Sequence, residues 1–212
     1  MNKHLIVKAV HRDKSFLSQA VEKLERKLKS KDEVQVRDLY TLNFNPVLTI
    51  NDFEALRSGA LKRDIVREQD YIINSDYLWI VFPIWWTNMP AILKGYIDRV
   101  FLSGFAYRMK GDTPVGLLTD KKVIILNSMG MSRQEYEETG MFKAIELTID
   151  KGIFEFSGMS VIDHRYFTSI MSADMEQRNK YFMEIENLAD LVLWRNNKNK
   201  QTINNKTLIT VR

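Results

Sequence analysis

Three short runs of the chain are apolar and rich in valine, isoleucine and leucine: Leu5–Val10, Tyr77–Pro83 and Val123–Asn127. Each is too short for a stable helix, and none shows the polar alternation of a strand with one wet face. They are predicted to be strands buried on both faces. Val34–Leu39 and Met159–Phe167 read as two more, and Ile162, set between polar neighbours, puts the second nearer an edge. Between the strands the periodicity turns helical. Phe16, Ala20, Leu24 and Leu28 mark one buried face, with lysine and glutamate opposite. Leu61–Asn74 and Gln134–Lys151 are further helices. Ala91–Phe101 is the clearest, with Leu93, Tyr96, Ile97 and Val100 in one stripe and Pro90 at its entrance. Asp174–Trp194 closes the series, and Leu42–Ala60 reads as a long ordered loop.

Strands alternating with helices imply an α/β fold: a doubly wound, five-stranded parallel sheet with helices on both faces. Sheets of this kind bind ligands beyond the carboxyl ends of their strands. Chemistry is therefore sought after Val10, after Phe82 and after Asn127.

Composition changes this picture little. A chain of 212 residues, 45% hydrophobic and 27% charged, suits one compact domain. The net charge of +4 comes from the end of the chain. Five of the 31 basic residues and none of the 27 acidic ones lie between Arg195 and Arg212, which leaves 26 against 27 in positions 1–194. A near-neutral body argues against nucleic acid as a partner. The expected division is a domain over residues 1–195 and a basic polar tail over 196–212, by default disordered, whose apolar patch Leu208–Val211 suits strand addition to a partner. With no cysteine there is no disulfide, no thiolate nucleophile and no cysteine-bound metal. His4, His11 and His164 show no metal-ligand spacing, so no metal is expected. No apolar run is long enough to insert in a membrane, and no signal-peptide pattern is seen. A cytoplasmic location is expected.

The first 58 residues lack glycine, which excludes a G-x-G-x-x-G turn or a P-loop after the first strand. A phosphate there must use helix N-terminal amides and the side chains of His11–Phe16; alternatively, Ser15 is only a helix N-cap. At Phe82–Pro90 two adjacent tryptophans, Trp85 and Trp86, follow a strand. Neighbours in extended chain point opposite ways, so one of them faces a cleft as a wall for a planar ligand, unless both simply pack at a helix junction. Asn127–Ser132 is a small-residue turn in which Gly130 admits close backbone approach. Tyr136 lies just beyond it, and an isolated tyrosine is more often a packing residue.

Longer runs carry a resemblance. Asp38-Leu39-Tyr40, Asn43–Val47 and Asp64–Gln69 resemble stretches of the NAD(P)H:quinone reductases. The most specific match is Phe82-Pro83, Trp86 and Met89–Phe101, ending in Gly104-Phe105-Ala106-Tyr107, and the likeness continues through Tyr136 to Gly152–Met159. It covers roughly residues 4–170 and is nearest the shorter bacterial members, which include general stress proteins and ancillary subunits of potassium efflux systems.

The resemblance implies a flavodoxin-like homodimer holding FMN, or alternatively FAD, with NADH or NADPH as co-substrate. Hydride passes through the flavin to quinones or similar electron-poor aromatics in a ping-pong cycle. By similarity, Ser15 and Phe16 meet the phosphate or ribityl chain. Pro83, Ile84, Trp85 and Trp86 line the isoalloxazine, and Ser128, Met129, Gly130 and Met131 close its other side. Tyr136 supplies a catalytic hydroxyl, and Phe105, Tyr107 and Phe156 roof the substrate pocket across the dimer. Three departures stand out. Val10 replaces a histidine, with His11 one place on; Leu17 replaces an asparagine; Phe142 lies near a histidine that pairs with the tyrosine. The rival expectations are a flavin-fold regulatory or ancillary subunit of a membrane transport system with little turnover, and a one-electron carrier of the flavodoxin type.

Overall fold

A computed structural model describes the backbone of residues 1–209 and the side chains of residues 1–194. In chain order the elements are β1 (Lys3–Lys8), α1 (Phe16–Lys29), β2 (Glu33–Asp38), α2 (Ile50–Ser58), α3 (Arg63–Ile73), β3 (Tyr77–Pro83) and α4 (Ala91–Val100). There follow β4 (Tyr107–Lys110), β5 (Thr113–Gly116), β6 (Lys122–Ser128), α5 (Arg133–Glu138) and α6 (Met141–Ile145). A π-helical segment (Glu146–Glu155), β7 (Ser160–Phe167) and α7 (Met175–Ile209) complete the chain. The backbone of the tail expected from residue 196 continues α7 as far as Ile209; its side chains and residues 210–212 lie outside the described residues.

Five strands form one parallel sheet in the order β2-β1-β3-β6-β7. Their alternating side chains feed two cores. Leu5, Val7, Ile80, Phe82 and Ile125 pack with Tyr96, Val100, Ile149 and Phe154 on the face of α4 and the π-helical segment. Ile6, Trp79, Val81, Ile124 and Leu126 pack with Leu24, Phe182 and Ile185 on the face of α1 and α7. β7 is an edge strand, as the polar neighbours of Ile162 imply.

The local pattern failed in three places. Leu42–Ala60 contains α2, whose apolar periodicity is weak; its ends are set by a capping box between Thr49 and Asp52 and by Gly59 in the left-handed region at φ 70°. The helix expected over Gln134–Lys151 breaks at Gly140, also at φ 70°, and resumes as α6 and the π-helical segment. Beyond α4, β4 and β5 form a two-stranded antiparallel hairpin that strand-length patterning did not reveal.

Candidate active site

The strand order reverses between β1 and β3, so the loops leaving these two strands diverge and open a crevice at the carboxyl edge of the sheet. It holds a cavity of about 1030 Å³. The loop after β1 and the first turn of α1 form its floor, Pro83–Trp86 one wall and Ser128–Gly130 another. Ile170, Met171 and Arg178 supply the remaining side.

Short hydrogen bonds fix the floor. Ser15 N–H donates to the Arg12 carbonyl at 3.2 Å, and Ser18 Oγ donates to the same carbonyl at 2.7 Å. Ser15 is indeed the N-cap of α1, its Oγ accepting from Ser18 N–H at 3.3 Å. It also lines the cavity, so the two readings of this residue are compatible. Helical geometry leaves the N–H groups of Phe16 and Leu17 without intrahelical partners. His11, Arg12, Lys14 and Arg178 line the same cavity, against a single carboxylate, Asp13. Phe16 is itself buried, stacked on Phe182 with ring centroids 5.0 Å apart.

The wall is a tight turn. Trp85 and Asn88 exchange both backbone hydrogen bonds, at 2.9 and 3.0 Å. The two residues between them, Trp86 and Thr87, have φ of 51° and 60°. Positive φ at both central positions is the geometry of a type I′ turn, which usually takes glycine or asparagine. Trp86 is wholly exposed and Trp85 is 40% exposed. Thus both tryptophans, rather than one, reach the crevice. The His11 ring lies 5.1 Å from Trp85, so the shifted histidine joins the aromatic wall while Val10 stays buried.

Ser15, Phe16, Pro83, Ile84, Trp85, Trp86, Ser128, Met129 and Gly130 therefore meet around one cavity. Met131 follows directly but is not part of the lining; its carbonyl accepts from Ser169 N–H at 2.9 Å. Tyr136 is buried and is not part of the cavity lining; burial raises its pKa, and its ring lies 5.2 Å from Phe142. Tyr107 and Phe156 contact each other with centroids 5.3 Å apart, away from the cavity, and Phe105 packs on the core nearby. Arg178 was missed by sequence reasoning. It holds the loop after β7 by donating to the carbonyls of Ala173 and Ile170, at 3.0 and 3.3 Å. The loop after the fifth strand was its only signal. Amides and cations at one end of the crevice and flat aromatic walls at the other fit a planar cofactor carrying a phosphate.

Sheet order and crevice together define a flavodoxin-like α/β protein. A family model described as a flavodoxin-like fold matches residues 2–188. The chain is 33% identical over 177 residues to an uncharacterized NAD(P)H oxidoreductase of Haemophilus influenzae, covering 82% of this chain and 88% of that protein. It is 33% identical over 184 residues to the ribosyldihydronicotinamide dehydrogenase [quinone] of Rattus norvegicus, covering 76% and 78%. The solved NAD(P)H:quinone oxidoreductase of Methanothermobacter marburgensis superposes with a TM-score of 0.79 at 26% identity, covering 89% of this chain and 97% of that one. The chain belongs to the NAD(P)H:quinone reductase family of flavodoxin-like proteins, and it is an oxidoreductase of the NAD(P)H dehydrogenase (quinone) type.

Proposed function

We propose that the protein binds FMN in the crevice and passes reducing equivalents from NADH or NADPH to quinones or similar electron-poor aromatics. The oxidised nicotinamide leaves before the acceptor enters, which makes the cycle ping-pong. The observation that carries this reading is the union, in one cavity, of a cationic helix N-terminus with an exposed aromatic wall. When bound, the flavin supplies two-electron hydride chemistry between nicotinamide and acceptor.

The chain's own groups bind, orient and shield. The amides of Phe16 and Leu17 and the hydroxyl of Ser15 hold the phosphate, with Arg12 and Lys14 replacing the donors lost at Val10 and Leu17. FMN is preferred over FAD because the chain resembles the shorter bacterial members of the family. Trp85 and Trp86 stack against planar rings and keep nicotinamide or acceptor parallel at reacting distance. The backbone of Ser128–Met131 meets the other edge of the ring. The Tyr136 hydroxyl stays protonated and donates a hydrogen bond where negative charge develops. Phe142 is apolar and non-titrating, so that hydroxyl acts without a histidine partner. Phe105, Tyr107 and Phe156 roof the pocket of a second copy in a cytoplasmic homodimer, with residues 196–212 outside the catalytic domain.

Titration with FMN and with riboflavin, which lacks the phosphate, tests the assignment of the floor. The R12A/K14A double variant is expected to lose roughly tenfold in FMN affinity, the worth of a charge-assisted hydrogen bond, and nothing in riboflavin affinity. Equal losses for both ligands would remove the phosphate from this loop.

A further inference from the structure

Asn127, Asp150, His164 and Tyr166 converge beside the base of the Pro83–Trp86 wall, outside the cavity lining. Two irregularities bring them together. In the pairing of β6 with β7, Val123 faces Val161 but Ile124 faces Asp163, so Ile162 is passed over as a bulge. Ile162 packs into the core under α1 and α7, whereas Tyr166 packs into the opposite core. An unbroken strand would keep residues four apart on one face. The bulge therefore turns His164 and Tyr166 to the side on which Asn127 points. Asp150 comes from the middle of the π-helical segment, a rare conformation that is frequent at functional sites.

The contacts settle where the hydrogens lie. Asn127 Nδ2 donates to the Phe82 carbonyl at 3.1 Å. A carbonyl only accepts, so the amide orientation is fixed and its Oδ1 faces His164 Nε2 at 2.6 Å. Nε2 therefore carries a hydrogen. Nδ1 stands 2.9 and 3.1 Å from the two carboxylate oxygens of Asp150 and 3.0 Å from Tyr166 Oη. The His164 side chain is 6% exposed, so the protein rather than water holds this ring.

We propose that His164, held between Asp150 and Asn127, is a positioning residue for the reductase. It clamps Asn127, Asn127 fixes the Phe82 carbonyl, and the clamp thereby holds the strand end from which the Pro83–Trp86 wall projects. The proposal rests on reading that wall as the flavin site. The groups facing the ring are Asp150 from the π-helical segment, Tyr166 from β7 and Asn127 from β6, and the Glu146 carboxylate acts on Tyr166 from the start of the π-helical segment. Phe142, from α6, covers Tyr166 with centroids 4.6 Å apart and adds no charge.

The test compares FMN titrations of the full chain with those of His164→Gln, whose amide still donates to Asn127, and His164→Leu, which offers no donor. His164→Leu is expected to lose roughly tenfold in FMN affinity, the worth of one buried hydrogen-bond link, while His164→Gln keeps wild-type affinity. Hydrogen exchange of the Ile84 and Trp85 amides, which bond to the Ser128 and Asn88 carbonyls, should quicken in His164→Leu and not in His164→Gln. A His164→Leu that binds FMN as wild type does, or a folded His164→Gln that loses as much as His164→Leu, overturns the proposal. Absence of flavin uptake by the wild-type chain would contradict the flavin reading instead, and the exchange of those two amides would then decide the clamp alone.

Discussion

Trp86 carries two costs that folding alone does not explain: a wholly exposed indole and a backbone at φ 51°. Strain of this kind persists where the surroundings hold it and is concentrated at ligand sites. Here the paired Trp85 and Asn88 backbones hold it. Trp86→Ala should therefore change folding stability by no more than about 0.5 kcal/mol, the usual range for an exposed site. Flavin affinity should fall about tenfold, matching ~1.5 kcal/mol for a stacked aromatic pair; parallel denaturation and flavin-quenching curves separate the two effects. His4 presents the opposite case, a buried ring with a fixed tautomer. Trp79 Nε1 donates to its Nδ1 at 3.1 Å, so Nε2 carries the hydrogen that meets Asp32 at 3.2 Å. Burial lowers the His4 pKa from its ordinary 6.5, outweighing Asp32, which raises it. The unfolded chain then binds this proton more readily than the folded one. Stability from the neutral ring is thus full above about pH 6.5 and is lost as the pH falls below it. Urea midpoints of His4→Asn, whose Oδ1 still accepts from Trp79 but does not titrate, should fall less than wild type over that interval. Parallel slopes would exclude His4 as the source.

The segment before α2 is held against α4 by charge and by close approach. Arg99 is buried and reaches Asp52 at 3.1 Å, Asp64 at 3.3 Å and the Asn45 carbonyl at 2.8 Å. Burial works against the Asp52 charge, but hydrogen bonds from Lys62, Thr49 and Arg99 hold its pKa well below the carboxylate range. Gly95 lets Pro46 press directly on α4: a Cβ there would lie 2.1 Å from the Pro46 carbonyl oxygen and 2.5 Å from its Cα. Both are backbone atoms and cannot swing aside. Gly95→Ala is expected to cost about 2 kcal/mol net, overpacking exceeding the gain in helix propensity, and to lower the melting temperature by roughly 4–8 °C. A melting temperature at or above wild type would show that the loop yields. These contacts also explain what patterning could read. β1, β3 and β6 are buried on both faces, so hydrophobicity alone marked them. α2 is marked in its own segment only by its caps, and its hold on the fold comes from Arg99 of a distant helix. The bulge in β7 is set by pairing with β6, which its own segment does not reveal.

At the scale of the whole molecule, the sheet order places four loops at one edge, and three of them were sought in advance because buried strands announce their own carboxyl ends. The fourth, with Arg178, is assembled by α7 folding back from far along the chain. The sequence pointed both to the Pro83–Trp86 turn and to the helix amides and side chains of His11–Phe16; the structure adds that the two border one cavity with Arg178, and that the Arg12–Ser18 hydrogen bonds shape the first loop. Among the described residues no helix is long and apolar enough to cross a membrane. The central claim is that this crevice holds a flavin that cycles between a nicotinamide and an acceptor. Its most direct test is anaerobic addition of NADH or NADPH to purified protein loaded with FMN, followed by a quinone, while the visible absorbance is recorded. The account predicts that the flavin band bleaches with the nicotinamide and returns in proportion to the quinone added. A protein that stays colourless after incubation with FMN and FAD, or a bound flavin that neither nicotinamide reduces, would contradict it.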